Sequence, residues 1–285
     1  MIDWPVGLST GCFYRTDLLD CLEAIRSSGF GLVEICSYPA HLDYRNRQAV
    51  ERAHARLRAL GMEAYSFHAP FADDIDITSF DPAQRERALR ELVLAAEAAA
   101  RLEVRYFVIH PGPEHAGFPD HERLARMRNA ASVLERAADR CRQLGVGFVL
   151  ENQLPHLFCG HSRDLLWLLG TLERLDVGLC LDTGHAQLSG DLPTVVHKLS
   201  GHLWMVHASD NRGEFDDHLA PGRGGVQWGA LVEQLYEVGF RGAVVMEIAG
   251  NDDPQAALER AREGRLFLRE TFRRKDRTRL LRAEV

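Results

Sequence analysis

The chain has 285 residues, 46% hydrophobic and 26% charged, with a formal net charge of −7. That length exceeds one ordinary domain and suits a single (β/α)8 barrel, which takes ~250 residues. No run of ~18 apolar residues is present, which excludes a membrane-spanning helix, and the negative charge disfavours nucleic acid as a partner unless a local basic patch overrides the sum. The opening MIDWPVGLST has no basic segment followed by an apolar one, so no signal peptide is expected. The six cysteines lack CxxC spacing, and several lie in apolar patterns as buried thiols do. A reducing cytoplasm is the expected compartment.

Eight apolar runs alternate with helical patterns. VGLST (6–10) precedes a predicted helix over 17–28, with Leu18, Leu19, Leu22 and Ile25 at helical spacing. LVEICS (32–37) precedes a charged helix near 46–60. EAYSFHAP (63–70) contains His68 near its end, and the loop after it reaches Asp81-Pro82, an N-cap followed by proline at the first helical position. The helix over 82–102 leads to RYFVIHPG (105–112), which carries His110, and to a helix over about 121–144. VGFVLEN (146–152) ends in Glu151 and precedes a helix over 163–174. VGLCLDTGH (177–185) carries Asp182 and His185 and precedes a helix near 191–200. HLWMVHASD (202–210) carries His207, and a long polar loop separates it from the helix over 228–238. GAVVMEI (242–248) carries Glu247, and a last helix spans about 254–272.

Strict alternation of helices with apolar strands indicates a parallel sheet covered by helices. Eight units favour closure into a single (β/α)8 TIM barrel, one domain over 1–285, with 273–285 a basic, solvated helix end. No GxGxxG follows the first strand, which removes a dinucleotide-binding reading. In such a barrel all strand C-termini face one mouth. His68, His110, Glu151, Asp182, His185, His207 and Glu247 meet there, with Asp216 and His218 in the loop after the seventh strand. Singly, each has an ordinary explanation: Glu151 as an ion-pair partner, His68 or His110 as a hydrogen-bonding residue, Asp216 and His218 as loop caps. Together, three convergent carboxylates repel one another, and a divalent cation removes the conflict. Glu151, Asp182, His207 and Glu247 form an oxygen-rich set for Mn, Mg, Co or Zn, whereas all nine positions suit a cluster of up to three Zn.

The segments STGCF (9–13), HPG (110–112), LEN (150–152), LDTGH (181–185), HASDNRGEFDDHLAPGRG (207–224) and VVMEI (244–248) carry a resemblance. The chain resembles the xylose isomerase-like TIM barrels, which unite sugar phosphate isomerases and epimerases with endonuclease IV (AP endonuclease family 2). In the isomerase and epimerase branch the resemblance implies one divalent metal on Glu151, Asp182, His207 and Glu247. Glu151 and Glu247 would there be the catalytic acid/base pair, and His185 and Arg212 would bind a sugar or sugar phosphate. In the nuclease branch it implies three Zn ions on His68, His110, Glu151, Asp182, His185, His207, Asp216, His218 and Glu247, and abasic DNA as substrate. Arg223 stands where endonuclease IV has glutamate.

The sugar branch is favoured by the 207–224 wording and by the loop holding Asp73, Asp74, Asp76 and Asp81, whose charges repel a phosphate backbone. Tyr38, Tyr44, Arg45 and Arg47 offer residue types able to grip DNA, although a loop roofing a small-molecule pocket is the preferred reading of that stretch. A related sugar or inositol lyase, a diverged binding barrel and a homo-oligomer remain open alternatives.

Overall fold

The computed structural model describes residues 2–72, 74–114, 118–250 and 253–283. Strands β1 (Val6–Ser9), β2 (Leu32–Cys36), β3 (Glu63–His68), β4 (Tyr106–Ile109), β5 (Gly147–Glu151), β6 (Gly178–Asp182), β7 (Leu203–Ala208) and β8 (Val244–Met246) pair in parallel and in sequence order. The barrel closes where β8 pairs with β1, Val6 opposite Val244. The helices are α1 (Leu18–Ser27), α2 (Arg47–Ala59), α3 (Pro82–Arg101), α4 (Arg123–Leu144), α5 (Ser162–Thr171), α6 (Thr183–Leu188), α7 (Leu192–Leu199), α8 (Trp228–Glu237) and α9 (Pro254–Ala283). None of the described helices is long and apolar enough to cross a membrane.

Local chemistry sets these boundaries. The Asn46 side chain accepts from Gln48 N and Ala49 N at the start of α2, and Asp81 caps α3 ahead of Pro82. Gly145, at φ 75°, ends α4 in the left-handed conformation that glycine adopts without steric cost.

Two apolar layers follow from the period of a strand. Phe148, Leu150, Leu179 and Leu181 belong to the large core between strands and helices. Tyr65, Val108, Val149, Cys180, Met205, Ala243 and Val245 pack in a smaller cluster enclosed by the strands. Side chains on one face recur every second residue. Thus Val108 predicts the direction of His110, Val149 that of Glu151, Cys180 that of Asp182, Met205 that of His207 and Val245 that of Glu247. The inner core is apolar below, and the polar groups sit directly on top of it.

Two expectations need correction. The sixth strand ends at Asp182 as expected, but a short helix not foreseen there, α6, starts at once, because Asp182 becomes its N-cap, its Oδ1 accepting from His185 N at 2.7 Å. The final helix does not stop near 272: α9 continues to Ala283, so the basic segment is part of that helix as far as it is described.

The β7–α8 loop, which carries Asp216 and His218, hangs on Asp210. This buried carboxylate accepts from Asn211 N, Gly222 N, Val226 N and Trp228 Nε1 at 2.9–3.0 Å. Its isolated bridge to Leu219 pins the loop a second time. Replacing Asp210 with alanine leaves those donors buried without an acceptor, so Asp210→Ala is expected to lower stability by about 2–4 kcal/mol in urea denaturation. An unchanged midpoint would show that the loop is held by other contacts.

Candidate metal centre

Glu151, Asp182, His207 and Glu247 converge above the inner core, each offering a ligand atom within 4.8 Å of the others. Glu151, Asp182 and His207 are fully buried, whereas the Glu247 side chain is 21% exposed and opens to the mouth. Three further groups meet the same terms: His68 with His110 and Glu151, His185 with Asp216 and His218, and Cys180 with Glu151 and His207. All nine residues expected at the mouth are therefore brought together there.

Every histidine in the constellation is anchored through one ring nitrogen and directs the other toward carboxylates. Nδ1 of His68 lies 3.0 Å from Ala69 O, and its Nε2 is 3.3 Å from Glu151 Oε2. Nδ1 of His110 lies 2.7 Å from Glu114 Oε1, an ion-pair contact without hydrogen-bond geometry, and its Nε2 is 3.5 Å from the same Glu151 oxygen. His185 Nδ1 is held by Asn152 O at 2.8 Å, with Nε2 3.3 Å from Asp216 Oδ2. His218 Nδ1 meets Glu247 O at 3.2 Å, and Nε2 is 2.9 Å from Asp216 Oδ2. His207 is inverted: Nε2 lies 2.9 Å from Glu34 Oε2, while Nδ1 lies 2.9 Å from Glu151 Oε1 and 3.4 Å from Glu247 Oε2. Anchoring one nitrogen to an acceptor fixes the tautomer and leaves the other lone pair for a metal.

The donor set fits a cation on its oxygens as well. Asp182 Oδ2 and Asp216 Oδ1 are buried and accept no hydrogen bond from the described residues. Glu151 Oε2 is approached by two imidazoles without hydrogen-bond geometry. Burial raises the Glu151 carboxyl, but His207, His110 and His68 outweigh it and hold the group well below the usual carboxylate range. Burial, with Glu151 and Glu247 close by, pushes Asp182 up to about 6 against the pull of His185. Burial depresses the imidazoles, yet facing carboxylates lift His185 and His218 to about 10 and His110 to about 9. Without a metal, protons on the histidines offset the carboxylates; divalent cations are the alternative counter-charge.

Backbone supports hold the strand ends in register. Asn152 donates from Nδ2 to Asp182 O and accepts from Asp182 N, bolting β5 to β6. A Cβ on Gly184 would lie 2.3 Å from Ser209 Oγ, so the residue between Asp182 and His185 is glycine because α6 packs against the end of β7. His218 adopts φ 44°, strained for a non-glycine residue and placed at the centre itself.

A cleft of about 550 Å³, lined by Tyr14, Arg15, Tyr38, Phe71 and Glu247 among others, joins a chamber of about 320 Å³ over the histidines. Sequence reasoning missed Glu34, Glu114, Asn152 and, in the aromatic wall of this cleft, Tyr14 and Phe71. Arg212, expected to bind substrate, is exposed and lies outside the residues lining either space. Arg223 forms an exposed ion pair with Glu263 of α9. Tyr44 is buried with its hydroxyl donating to Glu91, Arg45 pairs with Glu91, and Arg47 pairs with Glu51. Of that quartet only Tyr38 lines the cleft. Asp76 is buried against Thr78 and Asp81 caps a helix, so the acidic loop is partly structural; Asp73 lies outside the described residues.

The chain belongs to the xylose isomerase-like TIM barrel family, whose model matches residues 22–271. It is 27% identical over 245 residues to the ketose 3-epimerase of Arthrobacter globiformis, covering 84% of this chain and 80% of that one. A probable endonuclease 4 of Mycoplasmoides gallisepticum is 21% identical over 205 residues, covering 67% of this chain and 66% of that one. Among solved structures, a D-tagatose 3-epimerase-like protein superposes with a TM-score of 0.82 at 24% identity, covering 96% of this chain and 99% of that one.

Metal ligation requires a neutral imidazole; burial depresses His207, yet Cys180, Glu151, Glu34 and Glu247 around it hold it well above the usual imidazole range, so it carries a second proton at neutral pH. Loading the protein with Zn or Mn is therefore expected to release protons, with apparent affinity rising as pH rises. Calorimetry in two buffers of different ionisation enthalpy checks this. A heat independent of buffer would contradict it.

Proposed function

We propose that the chain is a divalent-metal-dependent sugar isomerase or epimerase that moves a proton at a carbon adjacent to a carbonyl. The observation carrying this reading is the pair Glu151 and Glu247, from strands on different sides of one barrel, meeting Asp182 and His207 at a single point beneath an aromatic cleft. The likeness to the ketose 3-epimerase along most of both chains supports it.

Glu151, Asp182, His207 and Glu247 would hold the cation, which when bound supplies Lewis acidity toward the carbonyl and neighbouring hydroxyl oxygens. Glu247 faces the cleft and is open enough to reach a substrate carbon and remove its proton. Glu151, buried and held by His207, His68 and His110, is the carboxylate on the other side and returns or accepts the proton there. Proton transfer by a positioned carboxylate typically contributes about 10²–10⁴-fold. Tyr14, Tyr38 and Phe71 present ring surface for the apolar face of a sugar and exclude water.

The substrate is best read as uncharged. Glu114, Asp216, Asp217 and Glu247 line the mouth, and Arg15, seated 5.1 Å from the Tyr14 ring centroid, is the sole arginine or lysine among its described lining residues. The N-terminus of α9, a natural phosphate seat, is taken by Asp253, which accepts from Gln255 N and Ala256 N at 3.0 and 3.1 Å.

A second reading, a trinuclear zinc phosphodiesterase acting on abasic DNA, is favoured by one observation: the four core residues, the His68–His110 group that shares Glu151 with them, and the separate group of His185, Asp216 and His218 together recruit all nine positions. The acidic mouth and the internal pairing of Tyr44, Arg45 and Arg47 weigh against a polyanion.

Incubating Mn-loaded protein with free ketoses in D2O should place deuterium at one carbon beside the carbonyl, read by NMR. Glu151→Gln and Glu247→Gln should each slow that exchange by at least about 10²-fold. Full exchange in both variants would refute the two-carboxylate mechanism, and cleavage of an abasic duplex without ketose exchange would favour the second reading.

A further inference from the structure

We infer that Glu34 is the positioning residue that fixes the His207 tautomer and thereby sets the metal affinity of the centre, an inference that rests on the metal reading above. Glu34 lies within β2, where the pairing to β3 shifts register between Val33 and Glu34. Such an irregularity re-aims a side chain, and the Glu34 carboxylate lies fully buried beneath the constellation. Its Oε2 accepts from Ser66 Oγ at 2.8 Å and meets His207 Nε2 at 2.9 Å. Its Oε1 has no hydrogen-bond partner among the described residues, so all its bonding is directed to Ser66 and His207.

A neutral imidazole carries one N–H. If that proton sat on Nδ1, the nitrogen facing Glu151 and Glu247 would have no lone pair to give. Glu34 accepts from Nε2, so when the ring gives up one proton to a metal the proton that stays is on Nε2 and Nδ1 faces the ligand set with its lone pair. The other four histidines are anchored in the opposite sense, three by backbone carbonyls and one by the partly exposed Glu114. His207 alone is held from inside the barrel, and by a fully buried carboxylate. Packing does not account for an acid in that position: Glu34 is fully buried, and a buried carboxylate without partners is costly. The cost is offset when the carboxylate orients a ligand and strengthens its basicity.

The test is isothermal titration of chelator-stripped, full-length protein with Mn2+ and Co2+ alone, for wild type, Glu34→Gln, Glu34→Ala and Ser66→Ala. Glu34→Gln is expected to weaken binding by about 10–100-fold, Glu34→Ala by more, and Ser66→Ala by less. Metal-free melting temperatures should not fall in Glu34→Gln, which separates positioning from folding. Ring 15N spectra of the Zn-loaded protein should report a protonated Nε2 and a metal-bound Nδ1 at His207 in wild type, and a smaller metal-bound Nδ1 population at the same Zn concentration in Glu34→Gln. Unchanged affinity and metal-bound Nδ1 population in Glu34→Gln would overturn the inference, and this variant decides the matter if Glu34→Ala does not fold. Failure of the wild type itself to bind Mn2+ or Co2+ would instead overturn the metal reading, and this inference with it.

Discussion

Glu151 sits at the end of β5 with no solvent exposure, facing His207 through one oxygen and His68 and His110 through the other. A charge in that position costs several kcal/mol unless it is matched. Asp182, also fully buried, and Glu247 add to the problem rather than relieving it. The arrangement of the barrel mouth follows from this need for positive charge. Five histidines surround the carboxylates, each steadied by an acceptor behind it, and the mouth is built so that protons or divalent cations complete the balance. The inner apolar cluster below keeps water out and keeps the field of these groups strong.

The same constraint explains how the loops are used. A mouth that concentrates negative charge needs walls that do not add a competing cation, and the described cleft wall is mostly aromatic and small. The stretch holding Tyr44, Arg45 and Arg47 folds its charges back onto α2 and α3, leaving Tyr38 to face the cleft. The β7–α8 loop brings Asp216 and His218 inward only because Asp210 gathers four donors from across its length. Strain at His218 is compatible with a segment held by such contacts.

Much of this was legible in the chain because strand periodicity transmits from core to site. Val-Ile-His, Val-Leu-Glu, Cys-Leu-Asp, Met-Val-His and Val-Met-Glu each place a polar group two residues beyond an inner-core side chain, so strand ends announced the centre. Groups that act from behind the ligands carried no such signal. Glu34 interrupts a short apolar strand from its middle, a pattern equally compatible with an ordinary edge acid. Glu114 and Asn152 reach their partners by folded geometry, although Asn152 follows Glu151 directly. Arg212 rests only on the resemblance of a loop, and in the fold that loop curls around Asp210 and leaves the residue exposed. The α6 helix has little signal of its own in the sequence, because it is short and only the Asp182 cap marks its start.

Glu151, Asp182, His207 and Glu247 are the side chains proposed to enclose a divalent cation. Anomalous X-ray diffraction from crystals grown with Mn, collected on either side of the metal absorption edge, tests it directly. A peak bounded by those four side chains, with His207 joined to it through Nδ1 and to Glu34 through Nε2, is the expected result. A map without a peak there, with His207 Nδ1 still hydrogen-bonded to Glu151, would contradict a metal centre at this site.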